Sequence, residues 1–261
     1  MTFLEMMTLQ PHGPDTFVAS GPRYPWGGLY GGQIIAQALR AASLTVDPGY
    51  QLHSLHAYFI RLGDAGEPIR LEVDRLRNGR SFLTRRVVAR QAVGAILGMS
   101  ASFQVAETDV EIQTETMPAV PAPEDLPQDS WSPLIARRFL IDDIAPGRVG
   151  AWMRLTEDIG DDATLNACGI AYLSDDLMTD AVVARHPRRA PRDVAERPFW
   201  NASLDHAMWF HRPARASEWH LHDVTCRGLF NSRGLAIGSI FDRAGQQLAT
   251  VAQEVLNRPR R

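Results

Sequence analysis

The sequence predicts an α+β fold: two helix-plus-antiparallel-sheet repeats in one chain, their sheets joined into one continuous surface around two central helices. Three observations predict it. Two segments space their apolar residues as an amphipathic helix does. Each is followed by runs in which apolar and polar residues alternate, as half-buried strands require. The two series also read alike, as one unit written twice.

The first helix is expected over "GGQIIAQALRAASL", residues 31–44, where Ile34, Ile35, Ala38, Leu39 and Ala42 share a face. Gly31 and Gly32 at its start leave room for another backbone to approach. Strands follow in "LHAYFIRLGD", "PIRLEVDRLRNGRSF" and "VVARQAVGAILGMSASFQV", the last ending near Gln104. Residues 106–140 then lose periodicity and fill with Pro, Glu and Asp, which reads as a surface linker between an N-terminal repeat (1–105) and a C-terminal one (141–261). The second helix is expected within "YLSDDLMTDAVVARH", with Leu177, Met178, Ala181 and Val182 inward and Ser174, Asp175 and Asp176 at its N-terminus, where such residues cap and complement the dipole. Strands follow in "DHAMWFHRPA", "EWHLHDVTCRGLFNSRGL" and "AIGSIFDRAGQQLATVAQEV", with "DRAGQQ" as a hairpin turn. Laid side by side, the halves match His56 to His206 and Gln104 to Gln253, and Gln33 falls near Asp175.

With 261 residues, 45% of them hydrophobic, the chain has material for a large core. Its net charge of -3 provides no basic field for nucleic acid, and all 27 cationic side chains are arginines. Cys168 and Cys226 are far apart and form no CxxC pair, which fits a reducing compartment. The N-terminus lacks the basic start and apolar run of a signal peptide, no apolar stretch is long enough to span a bilayer, and "LNRPRR" is not a peroxisomal tripeptide. A soluble cytoplasmic protein with no membrane partner is expected.

Chemistry-bearing residues crowd "NASLDHAMWFHRP", residues 201–213. Ser203, Asp205 and His206 suggest a hydrolase triad, but strand alternation puts Ser203 and Asp205 on one face and His206 on the other, and no G-x-S-x-G elbow occurs. "HLHD" could lend His220 and His222 to a metal, but no third ligand has the right spacing, so no metal is expected. "WGGLYGG" has neither phosphate-loop spacing nor a lysine. Histidine is a common acid-base group, which makes His53 and His56 candidates, yet a hydrogen-bonded structural role suits them better. Asp175, Ser203 and Gln253 taken singly have ordinary explanations: a helix cap, a strand-edge hydroxyl and a polar strand residue.

Taken together, "YGGQIIAQAL", "HSLHAYFIRLGD", "LRNGRSFLTRRVVARQ", "MSASFQ", "YLSDDL", "SLDHAMWFHRP", "EWHLH", "SRGLAIG" and "VAQE" resemble, in order and over nearly the whole chain, the acyl-CoA thioesterase II family. The resemblance implies a double hotdog fold and hydrolysis of fatty acyl-CoA to free acid and CoA. It also implies a site in which an Asp, a Thr or Ser, and a Gln hold the attacking water. By local motif these are Asp175, Ser203 and Gln253, with Ser203 standing where many members carry Thr. His56 is the candidate for a secondary, substrate-binding role. The first repeat, without the carboxylate, is expected to do no chemistry. No cofactor is implied, and a homo-oligomer is expected because hotdog sheets often continue across subunits. General-base and covalent roles for Asp175 both stay open at this point. An acyl-CoA-binding protein with little turnover, or a hotdog acyl-CoA hydratase, would differ in product: nothing, or a hydroxyacyl-CoA, in place of free thiol.

Overall fold

A computed structural model describes residues 1–140, 147–189 and 198–260. The chain opens with a short helix, α1 (Phe3–Met7), fixed by a Thr2/Glu5 capping box and burying Phe3, Met6 and Met7. β1 (Gln10–Pro11) and β2 (Thr16–Ala19) form one edge of the sheet. The first repeat continues with α2 (Gly31–Ser43), β3 (Tyr50–Phe59), β4 (Ile69–Asn78), β5 (Phe82–Gln91) and β6 (Gly94–Val105). The second contains β7 (Ile135–Phe139), β8 (Arg148–Leu155), α3 (Ala163–Ser174), α4 (Met178–Arg185), β9 (Phe199–Ser203), β10 (Asp205–Phe210), β11 (His220–Phe230), β12 (Arg233–Phe241) and β13 (Gln247–Pro259). The strands all lie in a single antiparallel sheet, ordered β1-β2-β4-β5-β6-β3-β10-β13-β12-β11-β8-β7, with β9 also paired to β13. The two halves join where β3 pairs with β10, Ala207 opposite His56.

The expected helix at 31–44 is α2, and it is buried on nearly every side. Its partner is α3, which pattern reading missed, and not the segment expected over 172–186. That segment is split: α3 ends at Ser174 and α4 begins only at Met178. Asp175 is therefore the C-cap of α3 and not a residue at the N-terminus of its own helix. The close backbone approach expected of the glycines is present. A Cβ on Gly32 would lie 2.2 Å from the Tyr172 carbonyl oxygen of α3, to which Tyr30 Oη also donates at 2.9 Å.

The ladder registers correct the alignment of the halves. Ile60 and Arg61 N–H both donate to Ile96 O, and His211 and Arg212 N–H both donate to Leu248 O. A bulge at His53 matches the break at Leu204 between β9 and β10. In this register Leu52 is the counterpart of Ser203, Leu55 of His206, and Ala101 of Gln253. Neither Gln104 nor His56 occupies the place of its expected mate. Gln33 is no counterpart of Asp175 either, because that position in the first repeat lies at the other end of α2, beside Thr45.

β7 falls inside the stretch expected as a linker. The rest of that stretch is a strap along the second half, tied by Glu124 to Arg243 and by Pro121 O to Trp152 Nε1. It covers a small apolar cluster of Leu126, Trp152, Leu221 and Phe241.

Candidate active site

The two central helices run side by side in opposite directions, so that the start of α2 lies beside the end of α3 at one carboxylate. α2 begins at Tyr30, whose side chain makes no capping hydrogen bond. The missing acceptor comes from the other repeat: Gly32 N–H donates to Asp175 Oδ2 at 3.0 Å. Asp175 thus complements the dipole of a helix N-terminus, as expected, but that of α2. Its other oxygen, Oδ1, accepts from Ser203 Oγ at 3.2 Å. Gln253 Nε2 donates to Ser203 Oγ at 2.8 Å. The structure therefore brings Asp175, Ser203 and Gln253 together from a helix end, a strand end and the long last strand.

A fourth group joins them that sequence reasoning placed elsewhere. His206 Nδ1 lies 2.5 Å from Gln253 Oε1, and its Nε2 lies 2.9 Å from Ser174 Oγ. Alternation had put His206 opposite Ser203. The interruption at Leu204 resets the phase, so both face inward. The signal was present, since His206 is in step with Met208, which is buried. Asp205, the middle of the apparent triad, turns away and accepts the Glu254 N–H at 2.6 Å.

Burial dominates the electrostatics. Asp175 is 7% exposed, and removal from water raises its carboxyl above the usual range. His206 as an opposite charge, then the Gln253, Ser203 and Gly32 donors, pull the other way without cancelling the rise. Burial also lowers His206, so the imidazole favours its neutral form. Among the described residues no arginine pairs with Asp175. Its neighbour Asp176 is different: Arg137 binds it at 2.7 Å and Trp131 Nε1 donates to it at 2.6 Å. Asp176 is neutralised in place, whereas Asp175 keeps a lone pair to use.

The remaining sequence candidates lie apart from this cluster. His56 is on the exposed face of the sheet, edge-on to Trp209 at 5.2 Å, and does not join the other three. His53 bonds Ser102 Oγ at 2.8 Å. Gln104 reaches Glu107. His220 and His222 are buried in β11, with His220 pushed down to about 4 by burial. At the counterpart of the site, between the far ends of α2 and α3, lies a cavity of about 550 Å³ lined by Leu52, Phe103, Ala163 and Phe210 among others. Leu52, Leu55 and Ala101 stand there in place of Ser203, His206 and Gln253. The end of α2 is instead tied by buried Arg85, bonded to Thr45 Oγ1 and Thr45 O.

Comparison with known proteins agrees over the whole chain. Residues 20–104 match the profile of the acyl-CoA thioesterase N-terminal domain, and residues 114–257 that of the acyl-CoA thioesterase C-terminal domain. Acyl-CoA thioesterase 2 of Haemophilus influenzae is 35% identical over 255 residues, covering 88% of this chain and 87% of that protein. Human acyl-coenzyme A thioesterase 8 is 31% identical over 284 residues, covering 95% of this chain and 86% of that protein. The crystal structure of an acyl-CoA thioesterase II from Mycobacterium marinum superposes with a TM-score of 0.87 at 36% identity, covering 100% and 98% of the two chains. A hot dog fold protein from Alicyclobacillus acidocaldarius, 20% identical with a TM-score of 0.82, shares the fold. With both repeats matched and the sheet and central helices in common, this chain belongs to the acyl-CoA thioesterase family and has its double hotdog fold.

Proposed function

We propose that the chain hydrolyses fatty acyl-CoA to free fatty acid and CoA by direct attack of a water held by Asp175, Ser203 and Gln253. One observation carries this reading. Asp175 is a buried carboxylate held by neutral donors only, with a hydroxyl and an amide beside it that can each bind a water. Its raised proton affinity makes it a better base near neutral pH than an exposed aspartate.

In the proposed step the water oxygen bonds to the thioester carbon while Asp175 takes the proton. The tetrahedral oxyanion then expels the thiolate as the C–S bond breaks. The Gly31 N–H at the start of α2, which is not committed to Asp175 or to Tyr30 O as its neighbours are, is assigned to the oxyanion. Thiolate is a good leaving group, so the step needs no strong acid, and these residues suffice without a cofactor. General base is preferred to nucleophile, because each carboxylate oxygen already holds a donor, Gly32 N–H or Ser203 Oγ, and an acyl-aspartate would turn one of the two into a poorly accepting anhydride oxygen. The second repeat (141–261) is taken to carry the chemistry and the first (1–105) to complete the fold. Among the described residues no helix is long and apolar enough to cross a membrane. A cytoplasmic homo-oligomer acting on acyl-CoA is the proposed working form.

The test is free-thiol release from acyl-CoAs of increasing chain length, for the parent, Asp175→Ala and Gln253→Ala. Release by the parent with large losses in both variants supports the site. Release unchanged in both overturns the residue assignment, and binding without release overturns the hydrolysis. Rapid quench of a single turnover followed by peptide mass spectrometry separates the two roles of Asp175, since an acylated Asp175 marks a covalent intermediate.

A further inference from the structure

We propose that His206, backed by Ser174, is a positioning residue that sets which way the Gln253 amide faces. This rests on the reading above, with Asp175 as base. An amide has one end that accepts and one that donates, and the site works with only one orientation. Asp175 needs donors, so Gln253 must turn its Nε2 toward Asp175 and Ser203. Its Oε1 must then find a donor on the other side. The atom there is His206 Nδ1, at 2.5 Å, which meets that need only when it carries the proton.

Ser174 favours that state when its hydroxyl turns toward the ring. Its Oγ lies 2.9 Å from His206 Nε2 and can donate to it, which leaves the imidazole proton on Nδ1. Every bond in the chain then runs one way, from Ser174 to His206 to Gln253 and on to Ser203 and Asp175. Were the proton on Nε2 alone, Gln253 would be drawn to flip and would present its carbonyl to the carboxylate. Ser174 also has the Ala171 carbonyl at 2.9 Å as an alternative acceptor. A second proton on Nε2 therefore leaves the Nδ1 bond in place. Because Ser174 and Asp175 are consecutive, one helix end supplies both the base and the group that orients its helper.

The first repeat shows which replacement the fold accepts. Leu55 stands at the counterpart of His206 and is fully buried. His206→Leu removes the donor while keeping an apolar side chain that this site in the other repeat holds. His206→Asn keeps an N–H close to the Nδ1 position. Both are compared with the parent and Asp175→Asn for kcat and KM, and the histidine tautomer is read by ¹⁵N NMR. The expected result is a loss of about 100-fold in kcat for His206→Leu with KM within about threefold, and His206→Asn within about tenfold of the parent. The parent's His206 proton is expected on Nδ1. Ser174→Ala provides a second test should His206→Leu not fold, with a mixed tautomer and about tenfold lower kcat expected.

Equal losses in both His206 variants would make the role one of packing and overturn the proposal. So would a proton on Nε2 in the parent, or an unchanged tautomer and kcat in Ser174→Ala. If Asp175→Asn is inactive while His206→Leu is fully active, only this proposal fails. If Asp175→Asn is itself active, the base assignment fails first and takes the proposal with it.

Discussion

Two adjacent glycines separate the chemistry of the site from its packing. A Cβ on Gly31 would lie 2.6 Å from Asp175 Oδ2 and 3.0 Å from the Phe59 ring. Ordinary contact begins at 3.4 Å, so the oxygen must retreat by about 0.8 Å, and the 3.0 Å bond from Gly32 N–H is lost or bent. A displacement of that order at a water-positioning group costs about 100-fold in rate. The fold should tolerate the change, since Gly31 starts a helix and alanine favours that helix by up to about 1 kcal/mol. Gly32 faces a different obstacle. Its added Cβ would meet a backbone oxygen, Tyr172 O, at 2.2 Å, so α2 and α3 must separate. Overpacking of this kind costs about 1–3 kcal/mol or more, and each kcal/mol lowers the Tm of a chain this size by about 2–4 °C. Gly31→Ala is therefore expected to lose kcat with Tm held within a few degrees, and Gly32→Ala to lose both. Thiol-release kinetics and a thermal melt on the two proteins decide it. A Gly31→Ala protein with kcat within about threefold of the parent would refute the placement of Asp175 as base.

Asp175→Asn should abolish most activity, by about 10²–10⁴-fold, yet raise Tm at pH 7. Burial raises the folded-state proton affinity of Asp175 above its unfolded value, so its ionised form opposes folding at neutral pH and the opposition fades as pH falls through the raised pKa. For the same reason the acid limb of the kcat profile should lie above the ordinary aspartate range, and an acid limb below pH 4 would contradict it. Ser203→Thr should stay within a few-fold of the parent and Ser203→Ala fall by about 10–100-fold, because only the hydroxyl holds water; equal losses would point to packing. His220 is pushed down by burial from 6.5 to about 4, so its neutral form supports the fold fully above pH 6.5 and that support is lost as pH drops toward 4. Urea unfolding at pH 7 and pH 4.5 should show His220→Phe narrowing the difference in stability by roughly 2–3 kcal/mol, and no narrowing would show that His220 does not resist protonation.

What could be read in the sequence depended on which surfaces meet water. α2 was legible because its start carries glycines and its inward face is strongly apolar. The long strands were legible because the sheet is wet on one side, which preserves alternation. α3 was not, since "TLNACGIAYLS" has no polar stripe to set a period, whereas α2, just as enclosed, keeps Gln33, Gln37 and Arg40 at helical spacing. Missing α3 displaced Asp175 to the wrong end of a helix, although the motif still singled it out. The pairing of the halves slipped for a different reason. The shared His-Ala letters of "LHAYFIRL" and "DHAMWFHRP" align one residue away from the ladder register, in which Ile60 matches His211. That one-residue slip set His56 against His206, one facing outward and the other into the site.

The contact between Asp175 and Gly32 crosses between the two repeats, 143 residues apart in the chain. The group assigned to activate water is thus also a clasp, and its grip depends on the first repeat being docked. A protein whose halves had loosened would lose the α2 N–H, admit solvent to the carboxylate and release Asp175 toward ordinary acidity. Turnover would then report docking between the repeats, so that a half-assembled molecule leaves thioesters intact instead of cleaving them without selection.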